Sequence, residues 1–214
     1  MGYAADALSQ IVAAGNAEPP EVVHEWKERA ADAWKDVLSA AHRDLGVGAA
    51  ELEDGAALYV LIFARSIEDA FASRTDALRD LARVRADMLA AVNRERARKR
   101  RPPVRESAVL DRVAQSYAAD MLARGFYGHV SPERTGVSER ARSAGYPAGR
   151  LGENLAKGQA SVDEVMDGWM GSPEHRENIL NPWFTEAGFG VAFGKTAEGP
   201  RVLWVQVFGR PRGR

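Results

Sequence analysis

Three short stretches carry the side chains best suited to chemistry: Gly128-His129, Gly152-Glu153-Asn154 and Gly171-Ser-Pro-Glu-His-Arg-Glu-Asn-Ile-Leu180. The last is the most tightly specified. Ser172 is a good N-cap, Pro173 suits the first helical position where its missing N–H costs nothing, and Asn181-Pro182 ends the segment. That places His175 in the first turn of a short helix. A histidine fixed so firmly by backbone chemistry serves either packing or chemistry, and His129 and Glu153 are its candidate partners. Imidazoles beside a carboxylate can hold a metal ion with an open position, or form a buried polar network that is tolerable only when fully hydrogen-bonded.

Helical periodicity surrounds these stretches. Leu110, Val113, Ala114, Tyr117, Ala118, Met121 and Leu122 trace one buried face, with Gly125 suited to a left-handed cap, and the chain then enters the turn-rich Phe126–Pro132. A shorter helix is expected over 136–144, followed by an extended segment holding Glu153. Ser161-Val-Asp-Glu164 is a capping box that starts a helix with Val162, Val165, Met166, Trp169 and Met170 inward. Beyond Leu180 the period changes to two: Phe189, Val191 and Phe193, then Leu203, Val205 and Val207 alternating with Trp204, Gln206 and Phe208. Thr196-Ala-Glu-Gly199 between them predicts an antiparallel hairpin. Helices flanking a small antiparallel sheet give an α+β layered domain.

The first third reads differently. Val22, Val23, Trp26, Ala30, Ala33, Trp34, Val37, Leu38 and Ala41 recur at helical spacing; a second helix is expected over 50–72, and a third from about Thr75. Residues 1–80 are therefore expected to form an all-helical extension carrying no assigned chemistry, with the second domain over 81–214. Trp26 and Trp34 share a helix face, which suits a domain core or a homo-oligomer seam; His24 and His42 are read as ordinary helical histidines. Arg98-Lys-Arg-Arg101 before Pro102-Pro103 fits cations at a helix C-terminus, not a nucleic-acid patch, since no aromatic residue interleaves it.

Composition bounds the classes. The chain has 214 residues, a formal net charge of −1 and no cysteine, so disulfides, thiolate zinc sites and thiol nucleophiles are excluded. The longest apolar run, Ala56–Ala64, is too short to span a bilayer. Met1–Leu8 shows neither a basic region nor a long apolar core, so no signal peptide is expected.

Read in order, Asn93-Arg-Glu-Arg96, Ala118–Leu122, Phe126-Tyr-Gly-His129, Ala144-Gly-Tyr146, Gly152-Glu-Asn-Leu-Ala156, Trp169–Leu180 and Trp204-Val-Gln-Val-Phe-Gly209 resemble the CAP superfamily: the cysteine-rich secretory proteins, antigen 5 and pathogenesis-related 1 proteins, here its bacterial branch. The resemblance covers about residues 85–210. It implies an α-β-α sandwich with a central antiparallel sheet and a surface cavity which, in eukaryotic members, carries two histidines and two glutamates and can bind zinc. His129 matches the first histidine, Glu153 the glutamate of the Gly-Glu-Asn motif, and His175 the histidine of bacterial members. Where eukaryotic members have a histidine before the last strand, this chain has Leu203-Trp204. The second glutamate has three candidates, Glu174, Glu177 and Glu139, of which Glu139 is favoured as a fourth cavity residue.

The leading expectation is a non-catalytic binding module in which His129, His175 and Glu153 hold a divalent metal such as zinc, or a small ligand, with Glu153 either ligating or orienting an imidazole. The alternatives are a metal-dependent hydrolase of peptides or cell-wall-like polymers, with the same three residues catalytic, and an interaction protein acting through its N-terminal region. Ser131 lacks an elbow motif and is not read as a nucleophile. The unknown partner is expected to be a small ligand, peptide or polysaccharide, not nucleic acid. The family is usually exported.

Overall fold

The structure, a computed structural model, describes residues 4–15, 19–29, 34–35, 38–39 and 42–212. The chain divides into two compact units, Met1–Ser73 and Arg74–Arg214.

The first unit overturns the expectation of an all-helical region. It contains a three-stranded antiparallel sheet in the order β1-β3-β2, made of β1 (Ala5–Gly15), β2 (Asp44–Glu51) and β3 (Ala57–Ser66). Its described helices are α1 (Pro19–Arg29), beside the two helical residues 34–35, and α2 (Ile67–Thr75) as far as Ser73. The expected helix over 50–72 is thus mostly strand, for a physical reason. The run Leu58-Tyr-Val-Leu-Ile-Phe63 is rich in β-branched and aromatic residues and is short, so periodicity alone cannot separate a buried strand from a buried helix. Pairing with β1 on one side and β2 on the other decides it. Ile11, Val22 and Trp26 form a core against Ala13, Trp34, Tyr59 and Leu61, so both tryptophans pack inside the unit. His24 lies exposed on α1, whereas His42 precedes β2, outside any helix, its Nε2 3.4 Å from Ser9 Oγ. The expected helical positions Ala30, Ala33, Val37 and Ala41 lie outside the described residues.

The second unit is an α-β-α sandwich. Its sheet has the order β4-β6-β7-β5, made of β4 (Arg105–Glu106), β5 (Ala148–Lys157), β6 (Glu186–Thr196) and β7 (Gly199–Pro211). β6 and β7 form the expected hairpin, closing at the Thr196↔Gly199 pair. On one face lie α4 (Ala108–Arg124) and α5 (Val137–Ser143), packed against Leu155, Leu203, Val205 and Val207. On the other lie α3 (Leu81–Arg98), α6 (Val162–Gly171) and α7 (Pro173–Leu180). Sheet residues on that side include Trp204 and Phe208, the latter stacked on Phe184 with ring centroids 5.5 Å apart. Layers on both faces explain why β7 is buried from Val202 through Gly209.

Local signals set the helix ends. Gly125 adopts φ 70° and caps α4, Ser107 accepts the Leu110 N–H at its start, and Ser161 accepts the Glu164 N–H at the start of α6. The Arg98–Arg101 cluster falls at the C-terminus of α3, where cations complement the helix dipole.

Helix α4 lies directly on the backbone of β6. A Cβ on Gly188 would stand 2.2 Å from the Leu110 carbonyl carbon, and one on Gly190 2.4 Å from that of Ala114. Backbone cannot yield as a side-chain tip can, so Gly190→Ala is expected to destabilise the unit by about 3 kcal/mol. The measurement is the urea unfolding midpoint; a change within the range of an ordinary surface substitution contradicts the close packing.

Candidate functional site

The site is assembled at the edge of the sheet, where β5 is the outermost strand. Glu153 and Asn154, adjacent on that strand, do different work. Asn154 is fully buried; its Nδ2 donates to the His175 carbonyl (3.0 Å) and to Gln206 Oε1 (2.9 Å), while its Oδ1 accepts from Asn178 Nδ2 at 2.9 Å. Asn178 Nδ2 also reaches the Glu153 carbonyl, at 3.2 Å. These amides fasten α7, and with it the backbone of His175, to the strand. Gly152 allows the approach, because a Cβ there would meet Asn178 Oδ1 and the Phe184 ring at 2.8 Å.

The carboxylate of Glu153 is almost wholly enclosed, its side chain 3% exposed. Oε1 accepts from His129 Nδ1 at 2.9 Å, and Oε2 accepts from Arg140 Nη2 at 2.5 Å. The carboxylate can only accept, so His129 carries a proton on Nδ1 and turns its Nε2 away from Glu153. The Arg140 side chain is itself largely buried and lies over the Tyr117 ring, 3.3 Å from its centroid. Its Nη1 donates to the carbonyls of Thr135 (2.8 Å) and His129 (3.3 Å), and Tyr117 donates its hydroxyl to the Gly128 carbonyl at 2.5 Å. One guanidinium therefore ties together α5, α4, the His129 loop and β5.

Of the residues expected from sequence, His129 and Glu153 are in direct contact, and His175 is near enough to His129 to feel its charge. Ser172 occupies the N-cap of α7 without making a side-chain cap bond; Pro173 and the enclosing contacts fix that end. Glu139 turns to its own helix, where its carboxylate accepts the Gly136 N–H at 3.0 Å. Glu174 and Glu177 are exposed on α7, and Glu174 acts on His175 only through its charge. Trp204 is core, donating its indole N–H to the Gln159 carbonyl at 2.9 Å. Ser131 is buried with its hydroxyl paired to Thr135 Oγ1 at 2.7 Å, so it is not poised as a nucleophile. The residue that sequence reasoning missed is Arg140, one position past Glu139. A buried glutamate demands a cation, and that is the signal that selects it.

The two imidazoles are biased in opposite directions. His129 is raised above 6.5, chiefly by its hydrogen bond to Glu153. His175 is lowered below 6.5, first by burial and then by the charge of His129. A metal held by His129, Glu153 and His175 as three direct ligands does not fit this arrangement, since both Glu153 oxygens are engaged and one faces a guanidinium. Among the described residues no group of three or more His, Asp and Glu is set to hold a metal ion. Glu153 fits the orienting role, fixing the tautomer of His129 from behind.

Residues 89–208 match the family model described as the cysteine-rich secretory protein family (CAP). The chain is 34% identical over 116 residues to the uncharacterized protein YkwD of Bacillus subtilis (strain 168), an alignment spanning 54% of this chain and 43% of that relative. The chain thus covers less than half the length of that curated relative. Among solved structures, an extracellular protein containing a SCP domain from Bacillus anthracis aligns with a TM-score of 0.56 at 19% identity, over 86% of this chain and 72% of that one. An outer surface protein of Borrelia burgdorferi aligns with a TM-score of 0.52 at 20% identity, over 59% of this chain and 92% of its own. At such identities these two likenesses concern the fold.

Two outcomes follow from the site's electrostatics. A raised histidine stabilises the fold fully below pH 6.5 and loses that contribution as pH climbs through its folded value; a lowered one contributes fully above pH 6.5 and loses it as pH falls through its own. In an NMR titration His129 should therefore have its midpoint above 6.5 and His175 below; Glu153→Gln should bring His129 down, and His129→Ala should bring His175 up. Coincident midpoints contradict the geometry. Separately, Arg140→Ala leaves the Glu153 carboxylate buried without its cation and should cost about 3–5 kcal/mol in thermal or urea unfolding. A loss below about 1 kcal/mol, the range of an exposed ion pair, would show the pair to be solvated.

Proposed function

The chain belongs to the cysteine-rich secretory protein family, and from that premise we propose that its second unit is a non-catalytic binding module whose ligand is held by the imidazoles of His129 and His175 at the edge of β5. The observation that carries this reading is the clamp on Glu153. With Oε1 on His129 Nδ1 and Oε2 on Arg140, the glutamate is committed to positioning and the Nε2 of His129 is left as the outward group. The His129 side chain is 58% exposed, so a ligand can reach the imidazole from solvent.

A divalent metal of borderline softness such as zinc suits two imidazoles, one of them oriented by a carboxylate behind it. When bound, the metal would supply further coordination positions for the oxygens of a small ligand, peptide or polysaccharide. Burial favours the neutral form of His175, the form that ligates a metal, whereas the hydrogen bond to Glu153 favours the protonated form of His129. Arg140 balances Glu153, so the pair adds no net charge against the incoming cation.

Zinc titration followed by calorimetry tests the proposal. Wild type should take up about one equivalent, His129→Ala/His175→Ala none, and Glu153→Gln should bind about 10–100-fold more weakly. Because proton and metal compete for the Nε2 of His129, uptake should strengthen as pH rises through that histidine's titration. Absence of uptake by wild type, equal uptake by the double variant, or a pH-independent affinity would each overturn the metal reading.

A further inference from the structure

We propose that Trp183, Arg150 and Arg210 form a second recognition surface, one that takes an acidic sugar unit of a polysaccharide. It involves none of the side chains of the histidine site and stands on separate observations. Trp183 lies between α7 and β6 and is 53% exposed, an unusual state for an indole in a domain whose Trp169 and Trp204 are buried. It is held in place by its backbone N–H, which donates to Asn181 Oδ1 at 3.0 Å. Two guanidiniums lie against its ring, that of Arg150 at 5.3 Å from the centroid and that of Arg210 at 5.8 Å.

The arginines are the telling part. Arg150 and Arg210 are direct partners in the β5/β7 pairing. Like charges placed directly opposite on an antiparallel pair are unfavourable, and among the described residues neither guanidinium has a carboxylate partner. Exposed Arg212, which donates its Nε to the Ala148 carbonyl at 2.9 Å, adds a third cation to the same end of the sheet. A cluster of positive charge that weakens its own strand pair is what a site for an anion looks like before the anion arrives.

The arrangement narrows the anion. The two cross-strand guanidiniums converge on one ring instead of spreading along a groove, so they suit a single carboxylate or phosphate gripped through arginine's fork. The exposed part of the indole beside them offers a surface on which a sugar ring can lie. An acidic sugar supplies both in one monomer. A membrane surface would call for a broad apolar face, and Trp183 is the one large apolar side chain described as exposed in this patch. Single-stranded nucleic acid is read by successive stacking platforms along a basic track, and here there is one platform.

Affinity electrophoresis or calorimetry of the full chain tests this with polygalacturonate and a phosphomannan as probes, and with neutral dextran, oligo-dT and phosphatidylglycerol vesicles as comparisons. Wild type should bind at least one acidic polysaccharide, more weakly as salt rises, and leave dextran unbound; which of the two it prefers identifies carboxylate or phosphate. Trp183→Ala and Arg150→Gln/Arg210→Gln should each weaken that binding at least tenfold, while each takes up zinc as wild type does. Removing the like-charge pair should leave the melting temperature unchanged or higher. Failure to bind either acidic polysaccharide, binding indifferent to the variants, a variant-sensitive preference for oligo-dT or vesicles, or a lower melting temperature for the arginine double variant would each overturn the proposal.

Discussion

A carboxylate placed under the protein surface is the constraint on which the site depends. Glu153 is taken from water by its position on β5, and a charge in that place is tolerated only with a partner and hydrogen bonds on both oxygens. The partners come from two different segments, Arg140 from α5 and His129 from the preceding loop, so the glutamate determines where each must stand. Arg140 in turn cannot approach without cover for its own planar face, and the Tyr117 ring of α4 supplies it. The same guanidinium holds two carbonyls of the loop, which has no regular structure of its own to fix it. His129 is exposed yet oriented because its other nitrogen is anchored to a buried group.

His175 is positioned by an independent device. Helix α7 has eight residues, too few to be stable from backbone hydrogen bonds alone. Its C-terminal end is gripped by Arg96 of α3, a fully buried guanidinium with no carboxylate in its hydrogen bonds. Arg96 donates instead to the carbonyls of Pro102, Ile179, Asn181 and Phe184, at 2.7 to 3.2 Å. Two of those carbonyls close the end of α7, where the helix dipole favours a cation. With Asn154 and Asn178 fastening the other side, the helix is set from both flanks. The two histidines thus stand on supports that share few residues: Arg96 and the two asparagines for His175, Glu153 and its clamp for His129.

How far these arrangements could be read from sequence depended on whether a local signal agreed with the tertiary outcome. The 3.6-residue stripe from Leu110 to Leu122, the Gly125 cap and the period-two strands after Leu180 agree with the layers that cover them, and all are found as expected. The alanine-rich first third offered weak signals: β1 sets Leu8, Ile11 and Val12 among four alanines, and the run that became β3 is compatible with either element until its neighbours are known. The site was legible in part for a similar reason. His129, Glu153 and His175 stand in distinctive short stretches, whereas Arg140 is one arginine in a charged helix, and only the burial of Glu153 makes it necessary. Glu139 looked equally suitable because helix phase cannot show that its carboxylate returns to the Gly136 N–H.

Side chains cover both borders of the sheet. An edge strand usually offers unpaired backbone groups to which an extended peptide can add. On β5 the Glu153 carbonyl accepts from Asn178 and the Leu155 carbonyl from the Trp169 indole, so helices α7 and α6 close that border. At the other side of the sheet β4 spans only two residues, and beyond it β6 is closed by α4 and α3. Asp111 accepts the Phe189 N–H, Gln115 bonds both the N–H and the carbonyl of Val191, and Arg85 donates to the Phe189 carbonyl. Asp111 makes that bond at some electrostatic cost, since burial pushes its carboxyl up to about 6. With both borders sealed by side chains, strand addition has no template along these stretches. On the two proposals made above, a ligand meets side chains instead: the imidazoles of His129 and His175 in one place, and the Trp183 indole beside Arg150 and Arg210 in another.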